Sequence, residues 1–232
     1  MEKQLLEGSL NPMNIFSSIK YDLDFARNNP DYFREEGIMI FCGSQGSGKT
    51  LSAVQYVKKL CRKYPKAILV TNVDIDGLPV DTRIIEYNGL ECLKNVENGQ
   101  LGVIYFIDEI HLELNSLESK NIDMDTIVEL SQQRKQRKHI VGTSQVYMRM
   151  AKPLREQVKD IVLCKNYFKY FQFNKLIDGF ESYEENGKLH AEVVYRLPWF
   201  HSPALYGSYD TYAKMRRYKE EWKGRKQVGS WD

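Results

Sequence analysis

The sequence predicts an α/β fold. It has a mainly parallel sheet with helices on both faces, followed by a small C-terminal β-hairpin and helix appendage. Three observations carry this expectation. The spacing of apolar residues switches repeatedly between strand-like and helix-like before residue 165. The strand-sized apolar runs are uninterrupted, as they are when both faces of a parallel strand are covered. After Cys164 the character changes to aromatic and alternating, the mark of half-buried antiparallel strands.

Residues 1–31 read as a leader without a strong pattern. Ile38 to Cys42 is the first strand, bounded by Gly37 and Gly43. Thr50 to Tyr64 then places Leu51, Val54, Val57 and Leu60 on one helical face before Pro65 stops it. Ala67 to Thr71 and Val103 to Ile107 are the second and third strands. Asp125 to Lys138 predicts a helix capped by Asp123 or Asp125, with Ile127 and Leu130 facing inward. Ile140 to Ser144 and Asp160 to Cys164 complete the strand series, giving a core over residues 32–165. In residues 166–232, the aromatic run Tyr167 to Phe173 leads through Asp178-Gly179 to Asn186-Gly187, a dipeptide suited to a tight hairpin because both residues tolerate positive φ. Leu189, Ala191, Val193, Tyr195 and Leu197 alternate as one strand, and Thr211 to Lys226 predicts a basic terminal helix.

Composition removes several classes. A chain of 232 residues, 42% hydrophobic and 28% charged, has globular rather than disordered or fibrous usage. Its apolar runs are strand-sized, far short of the roughly 20 residues needed to cross a bilayer. The N-terminus lacks the apolar core of a secretory signal, so the expected location is the cytoplasm. Cys42, Cys61, Cys92 and Cys164 show no Cys-x-x-Cys spacing and read as reduced core thiols. The four histidines form no ligand cluster, so any metal arrives with a ligand. Net charge is only +2, but acids dominate residues 71–129 and bases dominate 130–165. Such runs are most often solvated faces.

The chemistry begins at Gly43-Ser44-Gln45-Gly46-Ser47-Gly48-Lys49-Thr50, a full match to Gly-x-x-x-x-Gly-Lys-Thr between a predicted strand and a predicted helix. Glycines let the backbone wrap so that successive N–H groups face a phosphate, and the helix adds its positive end. Lys49 reaches the β/γ oxygens, and the Thr50 hydroxyl holds Mg²⁺. The expected ligands are ATP and Mg²⁺.

The third strand delivers Asp108 and Glu109 at its C-terminal end, where open α/β sheets place ligands. Asp108 is expected to order the metal shell with Thr50. Glu109 is expected to polarise the attacking water, which implies hydrolysis rather than transfer to a small acceptor. Gln145, ending the fourth strand, is a candidate for sensing the γ-phosphate or holding the water. The run Gln132 to His139 gathers Arg134, Lys135, Arg137, Lys138 and His139, read as a helix end where the dipole favours cations.

Taken together, the phosphate loop, the Ile-Asp-Glu-Ile-His segment and the Arg-Lys-x-Arg-Lys-His-Ile-Val-Gly-Thr-Ser-Gln run resemble the zonula-occludens-toxin-like ATPases. These form the phage-assembly branch of the FtsK/HerA superfamily, which also contains DNA pumps and viral genome-packaging motors. The resemblance spans about Gly37 to Lys165. It implies a RecA-like P-loop NTPase core in which one strand separates the phosphate-loop strand from the Asp-Glu strand. It also implies a homo-oligomeric ring in which each subunit completes its neighbour's site. An acidic face of residues 71–129 meeting a basic face of 130–165 would set that ring's register. The arginine supplied in trans would be Arg137 first, Arg134 second and Arg155 third.

The expectation is therefore a Mg²⁺-dependent ATPase that translocates double-stranded DNA in viral genome packaging, docked on a viral portal, capsid or membrane protein. Arg149, Lys152, Lys214, Arg216 and Arg217 are candidates for the DNA backbone. Filamentous-phage members carry a membrane segment after the core, and the lack of one in this sequence favours the motor. The alternative is a nucleotide-gated assembly or secretion ATPase with a membrane partner. A small-molecule kinase is disfavoured by Glu109 beside Asp108.

Overall fold

The computed structural model describes residues 12–112, 133–185 and 188–210. Two compact units are present. The first, ending at Tyr32, contains helix α1 (Pro12–Asn28), a helix within the stretch whose sequence reads only as a leader. The second begins at Phe33 and holds everything else.

Twelve strands are described in all: β1 (Gly37–Cys42), β2 (Ile68–Thr71), β3 (Asp74–Ile75), β4 (Ile84–Glu86), β5 (Val103–Ile107), β6 (Lys138–Ser144), β7 (Val158–Tyr167), β8 (Phe171–Asp178), β9 (Tyr183–Glu185), β10 (Lys188–His190), β11 (Val193–Phe200) and β12 (Tyr209–Asp210). Eight of them make one sheet in the order β11-β8-β7-β1-β6-β5-β2-β4. The six from β7 to β4 run parallel, while β8 is antiparallel to β7 and β11 to β8. The sequence expectation of one strand between the phosphate-loop strand and the Asp-Glu strand is met by β6, which pairs with both.

Continuous apolar strands bury both faces. Val103, Tyr105 and Ile107 of β5 join one core cluster with Ile38 and Ile40, whereas Ile104 and Phe106 join the other with Phe41. Helix α2 (Lys49–Lys63) packs Leu51, Val54, Val57 and Leu60 into this second cluster, the apolar face its sequence spacing predicts. The opposite face is covered by short pieces: α3 (Glu91–Asn95) through Leu93, the turn Ile110–Leu112 through Ile110, and α5 (Lys152–Arg155) through Leu154. Between them in chain order is α4 (Gln133–Gln136).

Three expectations need correction. The predicted helix from Asp125 to Lys138 lies mostly outside the described residues. Its end is not helical: Arg137 turns at φ 54°, and Lys138 and His139 open β6. They are buried there because a central strand leaves no solvent to either side. Lys138 Nζ donates to Leu93 O at 2.6 Å. Burial lowers the His139 pKa, and the ring sits between the Tyr56 hydroxyl at 3.1 Å and the carbonyls of Glu36 and Gly37. The expected basic face thus loses two of its charges to the interior. The single strand expected from Leu189 to Leu197 is instead two, since β10 pairs with β9 and β11 pairs with β8 on the main sheet. Consequently the hairpin β8–β11 continues the core sheet, and β7 itself runs across residue 165. The basic helix expected from Thr211 lies outside the described residues.

The site depends on close packing above β6. Gly142 lies where an added Cβ would stand 2.8 Å from Ile110 Cγ2 and 2.9 Å from Ile40 Cδ1. Gly142→Ala is expected to destabilise the protein by about 1–3 kcal/mol through overpacking, measured by urea unfolding. It should also shift the backbone at Glu109, because the displaced Ile110 immediately follows it.

Candidate functional site

The loop between β1 and α2 is a strand-to-helix turn that only glycines can complete. Gly46 and Gly48 adopt φ 76° and 80°, and Gly48 is the residue preceding α2. A Cβ at Gly48 would meet Gln172 Oε1 at 2.3 Å, so both backbone conformation and space require glycine there. Lys49 is only 7% exposed, and its ammonium donates to Ser44 O at 3.2 Å across the loop. A buried cation with a single backbone acceptor is well placed to gain from an anion entering the loop. Ser47 Oγ is buried and has no hydrogen-bond partner.

Asp108 and Glu109 follow β5 directly, on the same sheet edge as the loop. The Thr50 hydroxyl donates to Asp108 Oδ1 at 2.9 Å, and the Thr143 hydroxyl donates to the same oxygen at 2.7 Å. The Asn72 side chain clasps the Asp108 backbone, accepting from its N–H at 2.8 Å and donating to its carbonyl at 3.1 Å. Burial raises the Asp108 pKa against the two hydroxyl donors, which lower it. Glu109 sits in the left-handed region at φ 55°, its N–H held by Thr143 Oγ1 at 2.9 Å. Gln145 Nε2 donates to Glu109 Oε1 at 3.4 Å, and His111 Nδ1 lies 3.2 Å from Oε2. Of the candidates named from sequence, the structure therefore brings together Lys49, Thr50, Asp108, Glu109 and Gln145.

The arginines are elsewhere. Arg137 precedes β6 at the opposite sheet edge, about 20 Å from Thr143 along the strand at roughly 3.3 Å per residue, and its guanidinium donates to Phe33 O at 3.2 Å. Arg134 is on α4. Arg155 ends α5 before β7 begins, with Nη1 3.3 Å from Met148 Sδ. Arg149 ends a short turn and Lys152 opens α5, pairing with Glu156 at 3.8 Å. Lys214, Arg216 and Arg217 lie outside the described residues.

Several residues that support the site escape a motif-based reading. Gln172, fully buried on β8, donates through Nε2 to Ser47 O and to Asn174 Oδ1, both at 2.8 Å. Asn174 Nδ2 in turn donates to Ser52 Oγ on α2 at 3.1 Å. His201 Nε2 lies 3.2 Å from Gln172 Oε1, linking the chain after β11 to the same point. The Gln172 bond ties the Ser47 carbonyl to β8, while the Ser47 N–H closes a turn on Ser44 O at 3.1 Å. A sequence signal exists: Gln172 and Asn174 alternate with Phe171 and Phe173, placing amides on the inward face. Asn72 carries a weaker signal, a polar residue one position past a buried strand. At β12, Tyr209 pairs with Ile75, and burial first, then the Asp108 carboxylate, raise its pKa.

Fold and loop together are those of the P-loop NTPase fold. Among solved structures, the chain is similar to the N-terminal domain of zonular occludens toxin from Neisseria meningitidis, with a TM-score of 0.53 at 14% identity, covering 76% of this chain and 100% of that one. The fold is the one that domain uses. Weaker likenesses are the genome packaging NTPase of Sulfolobus turreted icosahedral virus 2 (TM-score 0.46, 9% identity, 67% of this chain and 96% of that one) and the DNA-packaging ATPase of Sulfolobus turreted icosahedral virus (0.45, 11%, 72% and 100%). No protein-family model and no curated protein matches the sequence.

The raised pKa of Asp108 has a stability consequence. A group whose folded pKa exceeds its unfolded one contributes stability below the unfolded pKa and loses it as pH rises through the folded value. At neutral pH the buried carboxylate is therefore a net cost. Asp108→Asn, which keeps an acceptor for Thr50 and Thr143, should raise the melting temperature of the nucleotide-free protein at neutral pH. The difference should shrink on acidification, as followed by calorimetry.

Proposed function

We propose that this chain is a Mg²⁺-dependent ATP hydrolase that uses turnover to move double-stranded DNA, as a viral genome-packaging motor does. The observation that carries the hydrolase reading is the convergence of Thr50 and Thr143 on one oxygen of Asp108, with Glu109 held beside it and Lys49 buried in the adjoining loop.

The residues fit the metal. Thr50 Oγ1 and the Asp108 carboxylate are hard oxygen donors 2.9 Å apart, and Mg²⁺ takes one or two protein oxygens and completes its shell with water and phosphates. Bound there, the ion would neutralise charge between the β- and γ-phosphates. The loop N–H groups and Lys49 bind and orient the phosphates. Glu109 takes the proton of the attacking water, and Gln145 donates to its carboxylate. Among the described residues no arginine reaches this site from its own chain, which supports a ring in which a neighbour supplies one. Arg137 remains the first candidate, then Arg134 and Arg155.

The DNA half of the proposal is supported by the motif resemblance to a superfamily that contains DNA pumps. The motif resemblance to the phage-assembly branch of that superfamily carries a second reading, an assembly ATPase acting with a membrane partner. The described residues include no helix long and apolar enough to cross a membrane. ATP turnover with and without double-stranded DNA at stated low salt separates the two, since phosphate-backbone binding weakens steeply as salt rises. Stimulation supports the motor, and its absence the assembly reading.

Two variants divide binding from chemistry. Lys49→Ala should abolish ATP binding in a filter or fluorescence assay. Glu109→Gln should bind ATP while its turnover falls by about 10²- to 10⁴-fold, the usual worth of a general base. A mixture of Lys49→Ala and Arg137→Ala subunits, each inactive alone, should regain turnover as protein concentration rises. Mixed oligomers without activity would exclude Arg137 as the trans group.

A further inference from the structure

The antiparallel extension has one buried face and one open one. On the buried face lie Cys164, Gln172 and Asn174. The side chains that alternate with them point the other way, and the register aligns these in rows across β7, β8 and β11. The lowest row, Ile161, Ile177 and Val193, belongs to or packs against a core cluster. Above it the cover ends. The next row is Leu163, Lys175 and Arg196, followed by Lys165, Phe173 and Pro198. The last is Tyr167, Phe171 and Phe200. Leu163 and Tyr167 are each 36% exposed and Phe200 is 77% exposed.

The outward face of an antiparallel sheet is ordinarily polar, and an exposed array of large apolar side chains marks an interaction surface. The last row is wholly aromatic, with the Phe171 centroid 6.4 Å from that of Tyr167 and 5.1 Å from that of Phe200. Phe173 adds a fourth ring in the row below. Three cations, Lys165, Lys175 and Arg196, are set among the rings, and Lys165 Nζ lies 4.9 Å from the Tyr167 centroid. None of the nine residues in these three rows is acidic. At roughly 4.8 Å between strands and 3.3 Å per residue, the array covers about 10 by 13 Å. Sheet faces of this kind stack two or three bases.

Charge and spacing select the occupant. A second copy of the same face would set cations against cations. A lipid surface takes apolar side chains on one side and cations on the other, whereas here the two follow each other along the strands. Lys165 leads to Tyr167, Lys175 to Phe173 and Phe171, and Arg196 to Phe200. A nucleic-acid strand alternates in the same way, with anionic phosphates between flat bases, and it presents those base faces for stacking only when unpaired. We infer that this face is a platform for an unpaired nucleic-acid strand. Bases stack on Tyr167, Phe171 and Phe200, while Lys165, Lys175 and Arg196 meet the phosphates. The inference goes beyond the hydrolase reading and does not depend on it, since no residue of the face belongs to the phosphate loop or to the Asp108–Glu109 site. A duplex track hides its base faces, so this is a second nucleic-acid site.

The test is fluorescence anisotropy on the nucleotide-free full chain at stated low salt. The probes are a labelled single strand of about 12 nucleotides, within the range of site sizes for such platforms, and a duplex of the same length. The single strand should bind more tightly than the duplex. Phe200→Ala, at the most exposed ring of the last row, should weaken single-strand binding about tenfold, the worth of one base–aromatic stack. Phe200→Tyr should keep the parental affinity. Lys175→Ala and Arg196→Ala should each reduce the slope of log K against log salt by roughly 0.7, one phosphate contact on a single strand. A duplex bound as tightly as the single strand overturns the platform and leaves the motor reading standing. Single-strand binding that Phe200→Ala leaves unchanged is a charge effect alone and also overturns it. So does a protein that ignores the single strand, and binding to phosphatidylserine vesicles that Phe200→Ala abolishes would then assign the face to a lipid surface.

Discussion

One carboxylate oxygen holds the site's frame. Asp108 Oδ1 accepts from Thr50 on α2 and from Thr143 on β6, so three elements distant in sequence are fixed by two short hydrogen bonds. The cost is a buried acid with a raised pKa, tolerable because both donors are hydroxyls that a metal ion could join without displacing the backbone. Asn72 on the far side clasps the Asp108 peptide, leaving that residue almost no freedom. Glu109 is held next to it through its N–H by the Thr143 hydroxyl. Its left-handed backbone turns the chain out of the strand and directs it into the Ile110–Leu112 turn.

The antiparallel extension stabilises the loop from the opposite side. Gln172 presses against Gly48 and fixes the Ser47 carbonyl, so the conformation of a loop built for freedom is set by a strand built from aromatic residues. The two flanks therefore differ in kind: hydroxyls and carboxylates beside β6, amides and rings beside β7.

Much of this was legible in the sequence because it was local. Ile38 to Cys42, Val103 to Ile107 and the phosphate loop announce themselves by continuous apolar runs and glycine spacing, and α2 by its apolar stripe. What was misread depended on partners. Lys138 and His139 look like the end of a basic helix, yet tertiary pairing draws them into a strand between β1 and β5, where a backbone carbonyl and a tyrosine satisfy them. Leu189 to Leu197 alternate without a break, but alternation does not say which strand lies opposite, and two different partners divide the run. The short β3 and β4 have too few residues for any period to register. Gln172 was visible only as an amide on an inward face.

The bond from Gln172 to the Ser47 carbonyl spans 125 positions of sequence. During synthesis the loop motif emerges complete by residue 50, but the strand that fixes it is not made until most of the chain has been translated. Closing so long a contact adds little to final stability and much to the time needed to reach it. The phosphate cradle is thus among the first features encoded and among the last to become rigid, and a growing chain carries the motif well before it carries the pocket.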